Sequence, residues 1–487
     1  MRLSDLVGPR QSAPDSWSKV DIAGLTADSR EVRKGFLFAA LPGTRLDGAQ
    51  FIQAAIAKGA AAVLVSRGGG AGDDIAVPVV EDADPRRALA LMAARFYGSQ
   101  PETAAAVTGT NGKTSVVSFL RQIWRGLGFQ AASLGTVGLM GPHGEHPLAH
   151  TTPDPVTLHR LLAEIAAEGV SHIALEASSH GLQQRRLDGV VLKAAAFTNI
   201  SRDHLDYHAD FEEYLAQKRR LFDELLPEGA AAVVNADALH AEVFCEAARV
   251  RGARLITVGR KGRELTLEAA EMDGLGQRLT IGRGGESIEV RLPLVGAFQA
   301  SNALVAAGLA AGCGAEAAEV LPLLASLEGA RGRLDLAGTT AQGAPVYIDY
   351  AHTPDALASA LDALRPYARS RLIVVFGCGG DRDAGKRPLM GAVAGDRADL
   401  VFVTDDNPRG EAAEAIRAEI MKSVPEACEV AGRAEAIAAA IAAAGEGDVV
   451  LIAGKGHETG QIIGERVIPF SDHEAVGAVL GEARAHG

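Results

Sequence analysis

The sequence predicts an α/β protein of three domains, and three observations carry that expectation. At 487 residues the chain is too long for one ordinary domain. Short apolar runs of strand length alternate with stretches of helix length along most of it. The texture changes near residues 98 and 334, which sets the domains at 1–98, 99–334 and 335–487.

The N-terminal domain is small and α/β, with strand-like pieces at Gly35–Leu41, Ala61–Ser66 and Val77–Val80 around a helical stretch at Asp47–Lys58. The central domain opens with the apolar strand Ala104–Val107, a glycine-bearing turn and a helix from Lys113. Further buried strands are expected at His172–Glu176, Ala194–Ile200, Ala231–Asn235 and Leu255–Val258. Helices such as Thr157–Glu168 and Phe211–Leu225 separate them, as in a P-loop-type, doubly wound parallel sheet. Glu264–Leu294 alternates and breaks at Asp273-Gly274 and Arg283–Gly285, so antiparallel hairpins are expected there. In the C-terminal domain Val346–Tyr350, Leu372–Phe376, Leu400–Thr404 and Val449–Ala453 alternate with helices, including Ala434–Ala444, in a Rossmann-like pattern.

An apolar fraction of 47% with 22% charged residues describes a globular chain with ample core. The net charge of −13 argues against a nucleic-acid or anionic-membrane partner, so an anionic substrate would need local positive charge. Four cysteines lie at least 50 residues apart without a CxxC pair, as expected of structural thiols in a reducing compartment. MRLSDLVGPR has no apolar region behind its basic residue, and no run reaches the ~18 apolar residues of a membrane span. A cytoplasmic protein is expected.

The strongest local signal is Ala106-Val107-Thr108-Gly109-Thr110-Asn111-Gly112-Lys113-Thr114-Ser115. A strand runs into a glycine-rich turn and Lys-Thr opens a helix. Backbone N–H groups there suit phosphate oxygens, the lysine adds charge and the threonine hydroxyl can hold Mg²⁺. Valine at 107 departs from the strict GxxxxGK[ST] pattern, and an ordinary strand-turn-helix is the bland alternative.

Read as GTNGKT, this loop resembles the Mur ligase family. Thr151-Thr152-Pro153-Asp154-Pro155, Glu176-Ala177-Ser178-Ser179-His180, the run Asn199–His208 and Asp349-Tyr350-Ala351-His352-Thr353-Pro354 are similar to family signatures and occur in the family's order. The resemblance implies an ATP-dependent, ADP-forming amide-bond ligase of peptidoglycan synthesis, working as a monomer with ATP and two Mg²⁺ ions. It implies that Gly109, Thr110, Asn111, Gly112, Lys113, Thr114 and Ser115 hold the ATP phosphates, and that Thr114, Glu176, His204 and Lys218 hold metal. Lys218 would do so as an N6-carboxylysine. A neutral amine is required for that CO₂ adduct, which Arg219 and Arg220 could promote. Read as residues alone, Glu176 could be a solvated strand-end carboxylate, Ser201 and Asp203 a helix cap, and Lys218 a surface lysine.

Carried over in the same way, Asn302 meets adenine, Arg333 the ATP phosphates and Asp349 the ribose, although the family commonly has asparagine where this chain has Gln299. Arg333 and Asp349 fall at the start of the third domain, so domain closure would complete the site. Ser29 and the stretch Phe38–Gly48 resemble the uridine-binding region, and Thr151, Thr152, Ser178, Gln184 and Arg186 the holders of the muramoyl dipeptide. Thr-Thr-Pro-Asp is equally a helix start. Asp406-Asn407-Pro408-Arg409 marks members that add meso-diaminopimelate, because an arginine fork suits the distal carboxylate that lysine lacks. Arg382, Gly454 and Glu458 join that set, while a plain Asn-Pro turn is the alternative. The implied acceptor is UDP-N-acetylmuramoyl-L-alanyl-D-glutamate. A lysine-adding or, more distantly, a folate-polyglutamylating member, and a non-catalytic nucleotide-binding regulator, remain the rival readings.

Overall fold

The computed structural model describes residues 1–9, 14–43, 47–68, 75–148, 150–201 and 207–485. The chain divides into two units, Met1–Thr266 with Leu304–Leu321, and Leu267–Ala303 with Pro322–Gly487.

The first unit begins with a parallel sheet of β1 (Gly24–Thr26), β2 (Phe36–Ala39), β3 (Ala62–Ser66) and β4 (Val79–Asp82), in that order. The helix Pro85–Tyr97 buries Ala88, Leu89, Met92 and Ala93 in the same core as Leu37 and Leu64. Asp84 caps it by accepting from Arg87 N at 3.1 Å, Pro85 fills its first turn, and Gly98 ends it at φ +74°. This helix is additional to the elements expected from the sequence.

A second sheet in this unit contains β5 (Thr103–Thr108), β6 (Ala131–Gly135), β7 (Gly138–Gly141), β8 (Gly144–His146), β9 (His172–Glu176), β10 (Ala194–Phe197), β11 (Ala231–Asn235) and β12 (Arg254–Gly259). The order β12-β11-β10-β5-β9-β6 is parallel throughout, and β7 and β8 add an antiparallel edge. Every residue of β5 is buried, as a strand covered on both faces requires. With Val107 opposite Glu176 and Thr108 opposite Phe197, the C-terminal ends of β9, β5 and β10 lie side by side. Ligands collect at such ends.

Two expected elements differ in extent. β10 stops at Phe197 rather than Ile200, because Thr198 donates from Oγ1 to the Asn111 carbonyl at 2.6 Å and Asn199 also bonds the loop before Lys113. The helix from Phe211 is α-helical only to Arg220 and continues as a π-turn at Leu221–Leu225.

The second unit contains most of β13 (Leu265–Asp273), then β14 (Gly276–Arg283) and β15 (Glu286–Leu292), the expected hairpins. It also holds a six-stranded sheet of β16 (Asp335–Thr339), β17 (Pro345–Asp349), β18 (Leu372–Phe376), β19 (Leu400–Val403), β20 (Cys428–Glu429) and β21 (Val449–Ala453). Its order is β16-β17-β21-β18-β19-β20, parallel except for β16. A separate hairpin joins β22 (Gly460–Ile463) and β23 (Arg466–Pro469). Among the described residues, no helix is long and apolar enough to cross a membrane. Cys245 and Cys378 are buried, Cys313 is partly covered and Cys428 is exposed.

Candidate active site

The loop after β5 folds tightly against β10. Gly112 stands at the N-terminus of the helix Lys113–Gly126 with φ +86°, a left-handed conformation suited to glycine. A Cβ at Gly109 would lie 1.9 Å from Thr198 Oγ1, so only glycine permits this approach. Asn111 N donates to Asn199 Oδ1 at 3.0 Å and Thr110 N to the Asn199 carbonyl at 2.8 Å. Thr114 and Ser115 are buried in the first turn of the helix. Lys113 Nζ donates to the carbonyls of Gly109 and Thr110, both at 2.9 Å.

Lys218 is not a solvated surface lysine. It is 1% exposed, its Nζ donates to the Gly109 carbonyl at 2.8 Å and lies 4.4 Å from the centre of the Tyr214 ring. The Tyr214 hydroxyl in turn lies 3.0 Å from Thr110 Oγ1. Glu176 is likewise fully buried at the end of β9, not solvated. Its carboxylate accepts from Thr136 N at 2.8 Å and Thr136 Oγ1 at 3.1 Å, and Thr151 Oγ1 lies 3.1 Å from that hydroxyl. A Cβ on Gly135 would fall 2.1 Å from Glu176 Oε1, so the carboxylate occupies space that only glycine leaves. His204 and Asp203 lie outside the described residues; the cap of the helix from Phe211 is Asp210, which accepts from Glu213 N at 2.8 Å.

A cavity of about 390 Å³ opens beside these elements, of a size that suits part of a small-molecule ligand. Asp28, Arg86, Asp154, Gln184 and Arg186 are among its lining residues. Ser29, next to Asp28, accepts from Lys58 Nζ through its carbonyl at 2.8 Å, and residues 44–46 of the Phe38–Gly48 stretch lie outside the described residues. Arg186 donates to the Thr152 carbonyl at 2.5 Å and to Gln184 Oε1 at 2.8 Å, and Gln184 donates to the Tyr207 hydroxyl at 3.0 Å. Thr152 Oγ1 donates to the Glu176 carbonyl at 2.8 Å and lies 3.0 Å from Ser178 Oγ. One chain of bonds therefore joins Arg186 to the strand end that bears Glu176. Burial lowers the pKa of the Arg186 guanidinium, against the opposing charge of Asp154. Asp154 caps the helix Pro155–Ala167, so the helix-start reading of that motif also holds.

In the second unit, Asn302 Nδ2 donates to Gln299 Oε1 at 3.1 Å and Gln299 Nε2 donates to the Arg333 carbonyl at 3.3 Å. The Gln299 that departs from the family's asparagine thus reaches the Asn302 amide across one helical turn. The Arg333 guanidinium stands 4.9 Å from the Tyr350 ring centre. Asp349 accepts from Leu334 N at 2.7 Å and Ala351 N at 2.8 Å. Desolvation raises its pKa, opposed by the charge of Arg333 and these two N–H groups.

The loop after β19 carries Asp406, Asn407, Pro408 and Arg409, four of the residues expected to meet diaminopimelate. Asn407 is buried, donates from Nδ2 to Glu458 Oε2 at 2.8 Å and accepts through Oδ1 from Lys455 Nζ at 3.0 Å and Ile462 N at 2.9 Å. Lys455, 0% exposed, also donates to the Gly460 carbonyl at 2.8 Å and stands 3.4 Å from Asp406. A Cβ on Gly454 would meet Asp406 Oδ2 at 2.7 Å, and one on Gly380 would meet the Pro408 carbonyl at 1.9 Å. Arg409 NH1 donates to the carbonyls of Gly380 at 2.9 Å and Asn407 at 3.4 Å, while its Nε and NH2 have no partner among the described residues. Arg382 is exposed on the facing loop; burial and then the charge of Glu458 raise the pKa of the Tyr350 hydroxyl, and the charges of Arg333 and Arg382 oppose them. Thr136, Gly135 and Lys455 received no role from the sequence; Gly-Lys-Gly around Lys455 was the one visible signal among them.

Family models match along the chain: the Mur ligase family catalytic domain at residues 21–97, the Mur ligase middle domain at 107–310, and the Mur ligase glutamate ligase domain at 332–456. The chain is 54% identical over 484 residues, 99% of each chain, to a UDP-N-acetylmuramoyl-L-alanyl-D-glutamate--2,6-diaminopimelate ligase of Bradyrhizobium diazoefficiens. It is 52% identical over 477 residues, 97% of each chain, to the protein of that name from Caulobacter vibrioides. A solved structure of a ligase with the same name matches the whole of both chains with a TM-score of 0.75 and 32% identity. A MurF ligase of Thermotoga maritima in complex with ADP shares the fold, with a TM-score of 0.62 at 18% identity over 99% of this chain and 100% of that one. These full-length likenesses, together with the loop, strand-end carboxylate and buried lysine described above, establish that the chain belongs to the Mur ligase family.

Proposed function

We propose that this chain joins meso-2,6-diaminopimelate to UDP-N-acetylmuramoyl-L-alanyl-D-glutamate with conversion of ATP to ADP and phosphate, a step of peptidoglycan synthesis. It works as a cytoplasmic monomer of three domains, 1–98, 99–334 and 335–487. The reading is supported by the names of the full-length relatives and carried by Arg409, whose guanidinium is anchored on one side and open on the other. That fork suits a carboxylate, and the distal carboxylate is what separates diaminopimelate from lysine.

In the reaction, a side-chain carboxylate oxygen of the D-glutamyl residue attacks the γ-phosphorus of ATP and ADP leaves. The diaminopimelate amine then attacks the acyl-phosphate carbonyl, loses a proton, and expels phosphate as the amide forms. The N–H groups of residues 109–115 and the Lys113 ammonium balance phosphate charge. Arg186 and Gln184, with Thr151, Thr152 and Ser178, orient the muramoyl peptide. Asn302, Arg333 and Asp349 keep the nucleotide roles that the resemblance gives them. Asn407, Arg409, Gly454 and Glu458, with Arg382, Asp406 and Pro408, hold the diamino acid for attack.

The buried oxygen donors Thr114 and Glu176 suit a hard divalent cation. Two Mg²⁺ ions, held by Thr114, Glu176, His204 and carbamylated Lys218, would offset negative charge on the phosphates.

The test is phosphate release from ATP and Mg²⁺ with the UDP-muramoyl dipeptide, comparing meso-diaminopimelate with L-lysine. Stimulation by diaminopimelate alone, lost in Arg409→Ala, is expected. Stimulation by lysine would overturn the specificity, and release with neither amine would overturn the ligase reading.

A further inference from the structure

Two loops of the second unit leave adjacent parallel strands, residues 379–383 after β18 and 406–411 after β19. Their backbones are unusual. Asp381, Asn407 and Arg409 have φ of +53°, +36° and +52°, three of the described non-glycine residues in the left-handed region. Such conformations persist only where their surroundings hold them.

The β22–β23 hairpin pins the Arg409 backbone, with Arg409 N donating to the Ile462 carbonyl at 3.1 Å and Gly464 N to the Arg409 carbonyl at 2.7 Å. A reciprocal exchange between the two loops ties Asp381 to the same segment. Asp381 N donates to Glu411 Oε1 at 2.6 Å, and Gly410 N donates to Asp381 Oδ2 at 2.9 Å, so each loop's carboxylate takes the other's backbone N–H. Gly380 N adds a bond to the Asn407 carbonyl at 3.1 Å, and Arg409 NH1 closes back on the Gly380 carbonyl. Glu411 is itself fixed from beneath. Arg387, 1% exposed, donates to it at 2.8 Å through NH2 and to Glu419 at 3.0 Å through NH1. Bonding to Arg387, and then to Asp381 N, lowers the pKa of Glu411, so it stays anionic through the neutral range.

We propose that Glu411 and Asp381 are positioning residues that set the spacing of Arg409 and Arg382, and thereby the choice of diamino acid, without touching it. The inference rests on the function proposed above for this site. Glu419 supplies an internal control. It shares the same buried arginine but makes no bond to either loop, so a purely structural loss of the Arg387 pair would appear in both glutamates.

The experiment is steady-state phosphate release by the full chain with ATP, the UDP-muramoyl dipeptide and either meso-diaminopimelate or L-lysine. Glu411→Ala and Asp381→Gly are expected to raise KM for diaminopimelate roughly 10-fold or more and to narrow its preference over lysine, with KM for ATP changed less than about 2-fold. Asp381→Asn, which tolerates the left-handed backbone and still accepts from Gly410 N, is expected to restore the wild-type KM. Glu419→Ala is expected to keep it. An unchanged KM in Glu411→Ala, or an equal rise in Glu419→Ala, would overturn the positioning role. Wild-type protein without diaminopimelate-dependent release would instead overturn the ligase reading, before any variant is compared.

Discussion

The Lys218 ammonium donates to the Gly109 carbonyl at 2.8 Å, tying a helix to the phosphate-type loop across 109 residues of sequence. Lys113 reaches the same carbonyl at 2.9 Å, so two cations converge on one oxygen at the loop's first turn. Carboxylation of Lys218 would remove the positive charge, leave a single N–H on Nζ and add an anionic carboxylate that can accept hydrogen bonds or hold metal. We therefore expect turnover to depend on bicarbonate. Lys218→Arg, which keeps the charge but forms no carbamate, should lower kcat about 10²–10³-fold, as loss of a preorganised charge does. Phosphate release with and without bicarbonate checks this, and an active Lys218→Arg enzyme would remove the carbamate from the mechanism.

A methyl group at position 135 would collide with Glu176 at 2.1 Å. Gly135→Ala should push the carboxylate off Thr136 and raise the Mg²⁺ concentration needed for half-maximal activity roughly 10–100-fold, the usual effect of disturbing a ligand's support. A Mg²⁺ titration reads this directly. An unaltered requirement would mean that Glu176 serves something other than metal.

The extent to which the site was legible in the sequence follows from how each part is built. The loop 109–115 could be read because a glycine-rich turn between strand and helix is a local, backbone-driven structure, and β9 and β11 fall where their apolar runs lie. The end of β10 could not, because bonds to Asn111, 87 residues earlier, decide it. Thr136 and Glu411 were silent for the same reason: their roles exist only once neighbouring strands bring distant loops together. The helix Pro85–Tyr97 is different. Its Asp-Pro start is plain in the sequence, but Arg86-Arg87 interrupts the apolar stripe where it begins.

Arg220 donates through NH2 to both oxygens of Asp188, each at 2.7 Å, and Asp188 is 3% exposed. Arg87 adds a longer contact at 3.3 Å. Arg220→Met should cost about 3–5 kcal/mol of stability, because a buried carboxylate then loses its principal partner. Urea unfolding measures it; a loss under about 1 kcal/mol would show that Arg87 suffices.

Burial, followed by the charges of Arg333, Arg331 and His473, lowers the pKa of His457 to about 4. An unfolded histidine titrates near its ordinary value of 6.5, so between these values the unfolded chain binds more protons. This contribution is intact above pH ~6.5 and is lost as the pH falls toward 4. The urea midpoint should drop from pH 7 to pH 5, and less so in His457→Asn. Parallel pH profiles for the two proteins would assign the acid sensitivity elsewhere.

The uneven burial of the thiols has a practical consequence. Cys245 and Cys378 are enclosed, and desolvation pushes Cys313 up to about 12, which suppresses its thiolate. Cys428, exposed in the short strand β20, is the natural handle for a maleimide dye. The native chain thus offers one preferred labelling position, and single-molecule fluorescence could follow it through turnover without removing a cysteine.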